Sequence, residues 1–223
     1  MKKNLVWQKI FKASDYGKYP SEDLIRFISK NFSKNKKRSK INILEIGSGT
    51  GGNLIYLAKE GFNVNGIDFS KIAVSKSKIF LNKKCPGWKG KIQYGDILNF
   101  NFKKNNFDVV IDNEVSCCFS LEETKKFYTK ILKSLRKKGK IFLRTFSTNS
   151  YGYKTGKKIG LKTYVPSVRG VRMFGPHRFS SSSDIDKIFN KKYKIVSKEV
   201  ISRSINNMKN KIVEWIVEVE KNV

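Results

Sequence analysis

The stretch ILEIGSGTGGNLIYLAKEGFNVNGIDFS, residues 43–70, decides the fold. It begins with an apolar run that predicts a buried parallel strand and then turns through a glycine-rich loop that starts at Gly47. A helix is predicted over 52–60, ended by Gly61, and a second apolar strand leads to Asp68. The order strand, glycine loop, helix, strand is typical of the opening unit of a parallel α/β sheet.

The same alternation continues towards the C-terminus. Further elements are predicted in the order helix 70–82, strand 91–97, strand 107–115, helix 121–138 and strand 140–146. Two long strand-like runs follow at 193–204 and 211–220, joined by an asparagine-containing turn. We therefore predict a doubly wound α/β fold, in which a mostly parallel seven-stranded sheet has helices on both faces and ends in an antiparallel hairpin.

Two segments lie outside this alternation. Residues 1–40 are predicted as an N-terminal helical cap segment with aromatic side chains that cover a pocket, namely Trp7, Phe11, Tyr16 and Tyr19. Residues 147–183 have no clear periodicity and are rich in glycine, serine, tyrosine and basic residues. We expect them to form a substrate-side insertion in a Rossmann-like domain that spans 41–223.

The composition narrows the class of protein. The formal net charge of +29 would attract polyanions, but lysine is spread along most of the chain, so nucleic acid is a possible partner that the sequence does not favour. Three cysteines indicate a reduced, cytoplasmic protein, and a single histidine argues against a zinc site, so no metal is expected. No apolar run is long enough to span a membrane, and the N-terminus lacks the features of a signal peptide. The oligomeric state stays open.

The glycine loop by itself fits two kinds of cofactor. Its glycines allow backbone N–H groups to approach a ligand, and Asp68 stands where a carboxylate can bind two ribose hydroxyls. The spacing Gly47-x-Gly49-x-x-Gly52 also satisfies the nicotinamide fingerprint. An NAD-dependent oxidoreductase, or a nucleotide-binding module without catalysis, is therefore an alternative of another class.

Features outside the loop favour a different cofactor. Glu45 lies two residues before the first glycine, where it can contact an amino-acid end of the ligand, and Gly95-Asp96-Ile97 closes the third strand with a carboxylate and an apolar neighbour. The C-terminal hairpin has no obvious role in a standard dinucleotide domain. Together with QYGDI, FDVVIDN and LRKKGKIFLRT, the quoted stretch closely resembles the class I S-adenosylmethionine-dependent methyltransferases over roughly residues 40–146.

The resemblance implies S-adenosylmethionine as cofactor, and it assigns a role to the residues that match the family's motifs. The residues implied in cofactor binding are Glu45, Gly47, Ser48, Gly49 and Gly51 at the methionine part, Asp68 at the ribose, Phe69, Asp96 and Ile97 at the adenine, and Asp112 and Asn113 near the sulfonium. We expect Asp68→Ala to weaken cofactor binding and leave the fold intact, on the view that Asp68 is a surface contact.

The acceptor is less well defined, because methyl transfer is an in-line displacement that needs orientation more than a catalytic motif. Asp112-Asn113-Glu114-Val115 is not the Asn/Asp-Pro-Pro-aromatic signature of amino-group methylation of bases. The candidates near the acceptor are Glu114, Arg144, Tyr151, Tyr153, His177 and Arg178, with Arg144, Tyr151 and His177 as the expected catalytic set. His177 is equally well explained as a general base and as a packing residue.

These observations lead to an expected function. We predict methyl transfer to a small molecule, with a hydroxyl of a sugar or of an acidic metabolite as the acceptor. Methylation of RNA or protein is the alternative within the same class. The adjacent Cys117 and Cys118 are interpreted as small buried filler residues.

Overall fold

A computed structural model describes residues 3–14, 17–168 and 175–222 of the 223-residue chain. Its helices are α1 (Lys3–Ala13), α2 (Glu22–Phe32), α3 (Gly52–Lys59), α4 (Lys71–Lys84), α5 (Leu121–Ser134) and α6 (Ser182–Ile188). Its strands are β1 (Asn42–Ile46), β2 (Asn63–Asp68), β3 (Gly90–Tyr94), β4 (Phe107–Asn113), β5 (Leu135–Phe146), β6 (Lys157–Gly160), β7 (Thr163–Val165), β8 (His177–Arg178), β9 (Tyr193–Ile205) and β10 (Asn210–Lys221). One-turn 3₁₀ helices lie at Arg38–Lys40 and Ser116–Cys118.

The strand order confirms the predicted architecture. In the part of the chain that the structure describes, one sheet has seven strands in the order β3-β2-β1-β4-β5-β10-β9. The pairs from β3 to β5 are parallel, whereas β10 is antiparallel to both β5 and β9. From β1, at the centre of the parallel part of the sheet, the strand order runs to β2 and β3 on one side and to β4 and β5 on the other. The carboxyl ends of β1, β2 and β4 therefore border a crevice.

Alternating side chains of the central strands supply two hydrophobic cores. On β1, Ile43 packs into the cluster formed with α2, α3 and α4, whereas Leu44 and Ile46 pack into the cluster formed with α5 and α6. On β4, Ile111 and Val110 divide in the same way. The central strands are therefore covered on both faces, as their almost continuous apolar sequence predicts.

The predicted helix and strand boundaries differ most from the structure at the junction of α5 and β5, while β3 and β4 end two or three residues before the predicted ends at 97 and 115. The sequence predicts helix 121–138, but α5 ends at Ser134 and β5 begins at Leu135. Lys138 has a left-handed φ of 58°, and the register between β4 and β5 shifts beside it. The chain therefore leaves the helix one turn earlier than periodicity suggests, because Leu135 already pairs with Phe107.

The insertion at 147–183 contains a small second sheet that periodicity did not indicate. Strands β6, β7 and β8 pair antiparallel in that order. Residues 169–174 lie outside the described residues, as does Tyr16 of the predicted aromatic cover. None of the described helices is long and apolar enough to cross a membrane.

Candidate functional site

A cavity of about 730 Å³ lies at the carboxyl ends of β1, β2, β4 and β5. Its size is in the range of small-molecule sites. It brings together most of the residues that the sequence predicts for the site: Glu45, Gly47, Ser48, Gly49, Asp68, Phe69, Asp96, Ile97, Asn113, Arg144 and His177. Helix α1 closes one wall with Val6, Trp7 and Phe11, and the rings of Trp7 and Phe11 stack at 5.6 Å.

The cavity has two regions, the loop side and the hairpin side. The loop side is formed by Glu45, Ser48, Asp68, Phe69, Asp96 and Ile97. The hairpin side is formed by Glu114, Cys117, Cys118, Arg144, His177 and Glu214. Asn113, the last residue of β4, lines the cavity as well.

The glycine loop approaches its neighbours too closely for larger residues. Gly47 has a left-handed φ of 60°, and a Cβ there would overlap the side chain of Val115. Gly51 also has a positive φ, but it faces Ser77 of α4 and does not line the cavity. The structure therefore places Gly51 behind the site, where it lets α3 and α4 pack closely.

Asp68 connects two structural elements and is almost completely buried, with 4% of its surface exposed. Its two carboxylate oxygens accept hydrogen bonds from the backbone N–H groups of Gly49, at 2.9 Å, and Ser70, at 2.8 Å. Burial raises the pKa of this carboxyl, while the two backbone donors lower it. The interpretation of Asp68 as a surface contact is wrong, since the carboxylate fixes the glycine loop to the start of α4.

Glu45 is buried beside the same loop. One of its oxygens accepts a hydrogen bond from the Asn53 side chain at 2.5 Å, and burial raises its pKa to about 8. Its second oxygen has no hydrogen-bond partner among the described residues, and the same holds for Ser48 Oγ and Asn113 Oδ1. Buried polar atoms normally have partners, so three orphaned atoms around one loop indicate the position of a polar ligand.

Asp96 provides an exposed carboxylate at the far end of the loop side. It accepts hydrogen bonds from the Leu98 N–H and the Asn99 side chain, both at 3.0 Å. Phe69 and the buried Ile97 supply apolar surface next to it. A carboxylate in the same wall as two apolar side chains suits a flat aromatic ring that carries an amino group.

Charged side chains of β5, β10 and the turn after β4 meet on the hairpin side. Arg144 donates two hydrogen bonds to Glu214, at 3.1 and 2.6 Å, and lies 3.4 Å from Glu114. Glu114 adopts a left-handed φ of 63°. Burial, followed by the negative charge of Glu214, raises the pKa of Glu114 to about 7.

His177 is 2% exposed and packs inside the hairpin side. Its ring stacks on Phe146, with centroids 5.3 Å apart, and Nδ1 donates to the Pro176 carbonyl at 2.8 Å. Burial lowers the pKa of the imidazole, so it is neutral near pH 7. The neutral ring with its proton on Nδ1 has Nε2 as its unprotonated nitrogen.

Several predicted residues serve the fold and not the cavity wall. Asp112 is fully buried, accepts from Tyr128 Oη at 2.7 Å, and also accepts from the backbone N–H groups of Val115 and Ser116. Its carboxylate therefore holds the turn after β4 and faces α5. Tyr151 and Tyr153 pack against a small cluster around Phe179, and neither of them lines the cavity.

Arg178 is also structural, although the sequence places it near the acceptor. It is 2% exposed and donates to the backbone carbonyls of Phe119, at 2.9 Å, and Ser116, at 3.3 Å. It also donates to Ser180 Oγ at 2.8 Å and to Thr124 Oγ1 at 3.3 Å. Arg178 thereby ties β8 to the 3₁₀ turn Ser116–Cys118.

Sequence reasoning missed several residues of the cavity wall. Cys117, Cys118 and Glu214 line it, as do Arg203 and Ile212 of the hairpin. The two cysteines follow the carboxyl end of β4, which is the edge where ligands bind in such sheets, and this position was the available signal. The hairpin residues carry no local signal, because only the pairing of β10 with β5 and of β9 with β10 brings them to the site.

The seven-stranded sheet with its antiparallel strand β10 and the glycine loop after β1 are the architecture of a Rossmann-like methyltransferase domain. A family model described as "Methyltransferase domain" matches residues 37–167, and the chain belongs to this family. The predicted resemblance to class I S-adenosylmethionine-dependent methyltransferases is thereby confirmed. Family membership also decides between the two cofactors that the loop fits, in favour of S-adenosylmethionine.

Curated relatives share only part of the chain. EEF1A lysine methyltransferase 2 of Danio rerio is 34% identical over 138 residues, which is 58% of this chain and 56% of the relative. Phosphoethanolamine N-methyltransferase 2 of Caenorhabditis elegans is 31% identical over 126 residues, 55% of this chain and 27% of the relative. The chain therefore spans about half or less of the length of these relatives.

Solved structures agree on the fold. A methyltransferase of Methanosarcina mazei superposes with a TM-score of 0.69 at 15% identity, covering 82% of this chain and 92% of its own. Magnesium protoporphyrin IX methyltransferase of Synechocystis PCC 6803, solved with bound S-adenosylmethionine, gives a TM-score of 0.62 at 14% identity and covers 98% and 81%. The orphaned polar atoms around Gly47 and the carboxylates of Asp68 and Asp96 fit this cofactor.

Proposed function

We propose that the chain transfers the methyl group of S-adenosylmethionine to the nitrogen of a small amine, and that Glu114 accepts the proton of that amine. The observation that carries the proposal is the Glu114 carboxylate, which lines the hairpin side of the cavity next to Asn113 at the end of β4. An ammonium group has no lone pair, so it must lose a proton before it can attack. A carboxylate at this place both attracts the cation and takes up its proton.

The loop side is proposed to hold the cofactor. Glu45 and Asn113 would satisfy its amino-acid end, Asp68 its ribose, and Phe69, Asp96 and Ile97 its adenine. The bound cofactor supplies an activated methyl group on a sulfonium. The protein then contributes orientation, since a nucleophile held in line with this methyl group needs little further assistance.

The volume of the cavity, about 730 Å³, supports a small acceptor. We propose that residues 1–40 act as a cap, because Trp7 and Phe11 of α1 form a wall above the glycine loop. The insertion at 147–183 is proposed to form the wall around the acceptor, since its residue His177 lines the cavity beside Phe146, the last residue of β5. None of the three cysteines forms a disulfide in the described part of the chain, which suits a reducing compartment, and we propose a cytoplasmic location.

The names of relatives support nitrogen as the acceptor atom. They include two phosphoethanolamine N-methyltransferases, norajmaline N-methyltransferase and the EEF1A lysine methyltransferases. A second candidate function keeps the hydroxyl of a sugar or an acidic metabolite as the acceptor. It is favoured by His177, whose neutral imidazole lines the same cavity, and by the two arginines Arg144 and Arg203, which suit an anionic group.

Acceptor screening with methyl-labelled cofactor separates these candidates. The panel contains small amines, amino sugars, hydroxy acids, a lysine peptide and RNA, and mass spectrometry identifies the methylated atom. We expect an N-methylated small molecule, with kcat lowered about 100-fold in Glu114→Gln and unchanged affinity for S-adenosylhomocysteine. The control is Glu199→Gln on exposed β9. An O-methylated product with wild-type turnover of Glu114→Gln would contradict the amine proposal, and methylation of only the peptide or RNA would contradict a small acceptor.

A further inference from the structure

Three soft or borderline metal ligands meet on the hairpin side of the cavity. They are the thiols of Cys117 and Cys118 and a ring nitrogen of His177, and these three atoms all lie within 4.8 Å of one another. The cysteines come from the 3₁₀ turn after β4, whereas the histidine comes from β8. All three residues line the cavity.

We infer that Cys117, Cys118 and His177 form a binding site for a thiophilic divalent cation, with Zn²⁺ as the expected ion. Two thiolates and an imidazole form a donor set that binds zinc in preference to magnesium or calcium. Two thiolates at about 2.3 Å from a tetrahedral zinc ion lie about 3.8 Å apart. The separation of the three atoms is therefore within about 1 Å of what the ion requires, which small rotations of the side chains can provide.

The surroundings of His177 resemble those of a metal-bound histidine. Its Nδ1 donates to the Pro176 carbonyl at 2.8 Å, and stacking on Phe146 holds the ring in place. Such a hydrogen bond fixes the tautomer in which Nε2 carries the lone pair, as the outer partners of metal-bound histidines do.

Binding of the ion has a definite proton balance. Each thiol gives up its proton as the sulfur coordinates, so two protons leave for each zinc ion bound. Coordination also replaces the hydrogen bond that Cys117 Sγ donates to the Glu114 carbonyl at 2.9 Å, because the thiolate no longer carries the proton. The affinity should therefore rise with pH.

Three protein ligands leave a fourth position for water or for an acceptor atom. Catalytic zinc sites keep such an open position, and the ion lowers the pKa of what it binds there. Occupation of the site would exclude His177 as a general base. The inference does not depend on the nature of the acceptor, because cation binding is measured without one.

Metal titration of the reduced, metal-free chain tests the site. Zn²⁺ affinity is measured by competition with a chromophoric chelator, and Co²⁺ is used as a spectroscopic probe for thiolate-to-metal charge transfer. We expect one ion per chain with a thiolate band for the wild type and for Cys85→Ser, whose thiol lies outside the cluster at the end of α4. The double variant Cys117→Ser/Cys118→Ser should lose the band and bind Zn²⁺ about 100-fold more weakly, and His177→Gln about tenfold more weakly.

Two outcomes would overturn the inference. One is the absence of a thiolate band in Co²⁺-loaded wild type, which needs no variant and therefore holds even if the double variant fails to fold. The other is wild-type Zn²⁺ affinity in a double variant that still binds S-adenosylhomocysteine. Neither outcome bears on the identity of the methyl acceptor, so failure here is distinguishable from failure of the proposed function.

Discussion

Replacement of Asp68 by alanine should lower both the stability of the fold and the affinity for the cofactor. The carboxylate accepts from the buried N–H group of Ser70 at 2.8 Å and from the partly buried N–H group of Gly49 at 2.9 Å, and its removal leaves both donors without this acceptor. The buried Ser70 donor without its partner costs about 1–3 kcal/mol, and loss of the partly buried hydrogen bond of Gly49 adds about 0.5–1.5 kcal/mol, so the two together cost about 1.5–4.5 kcal/mol. For a chain of this size, each kcal/mol lowers the Tm by about 2–4 °C, which gives a fall of roughly 3–18 °C.

Asp96→Ala is the matched control, because Asp96 is also a carboxylate of the proposed cofactor site but is exposed. Water can replace it as the acceptor for the Leu98 N–H, so its loss should cost less than about 1 kcal/mol. Thermal unfolding by calorimetry gives the stability, and isothermal titration with S-adenosylhomocysteine gives the affinity. We expect weaker binding in both variants and a large fall in Tm only for Asp68→Ala. A Tm of Asp68→Ala within 2 °C of the wild type would refute the proposed role of the two hydrogen bonds.

Three further predictions concern the loop side and β8. The pKa of Glu45 is raised from 4.5 to about 8, so the folded chain holds a proton that the unfolded chain releases between these values. Wild-type stability should therefore fall, relative to Glu45→Gln, by about 1.4 kcal/mol per pH unit between pH 4.5 and 8, as measured by urea unfolding. Gly47→Ala should cost about 1–3 kcal/mol more than Gly87→Ala in urea unfolding, because both glycines have positive φ but only a Cβ at Gly47 meets another side chain. Arg178→Lys should lower the free energy of unfolding by about 2–4 kcal/mol while leaving the affinity for S-adenosylhomocysteine unchanged, because a single ammonium group cannot replace the four hydrogen bonds that the guanidinium donates.

The loop side could be predicted from the sequence because its geometry is local. Glu45, Gly47 and Asp68 belong to one strand–loop–helix–strand unit. The spacing of apolar residues shows where each strand or helix of this unit ends and the next one begins. The sequence pattern correctly places Asp68 at the end of β2, but it does not show that the carboxylate is buried. A single sequence shows the position of a carboxylate along a strand and not the backbone donors that the folded loop directs at it.

Asp112 shows how strand alternation limits such a prediction. Side chains on a strand alternate between faces, and Asp112 shares the face of Val110, which packs into the core under α5. It therefore turns away from the cavity towards Tyr128, while Asn113 takes the position at the sheet edge. The motif places both residues at the strand end, but only the alternation tells which of them meets a ligand.

The hairpin side could not be predicted, because its residues are brought together by contacts between distant segments. His177 lies about sixty positions after Cys117, and the insertion between them has no periodicity that would place it. Arg178 supplies the connection: it is adjacent to His177, and its guanidinium bonds the Ser116 and Phe119 carbonyls on either side of the two cysteines. One buried arginine thus fixes the distance between the histidine and both thiols. An expectation of no metal site follows naturally from a count of one histidine, whereas the proposed zinc site follows from the contact that holds this histidine against the cysteine turn.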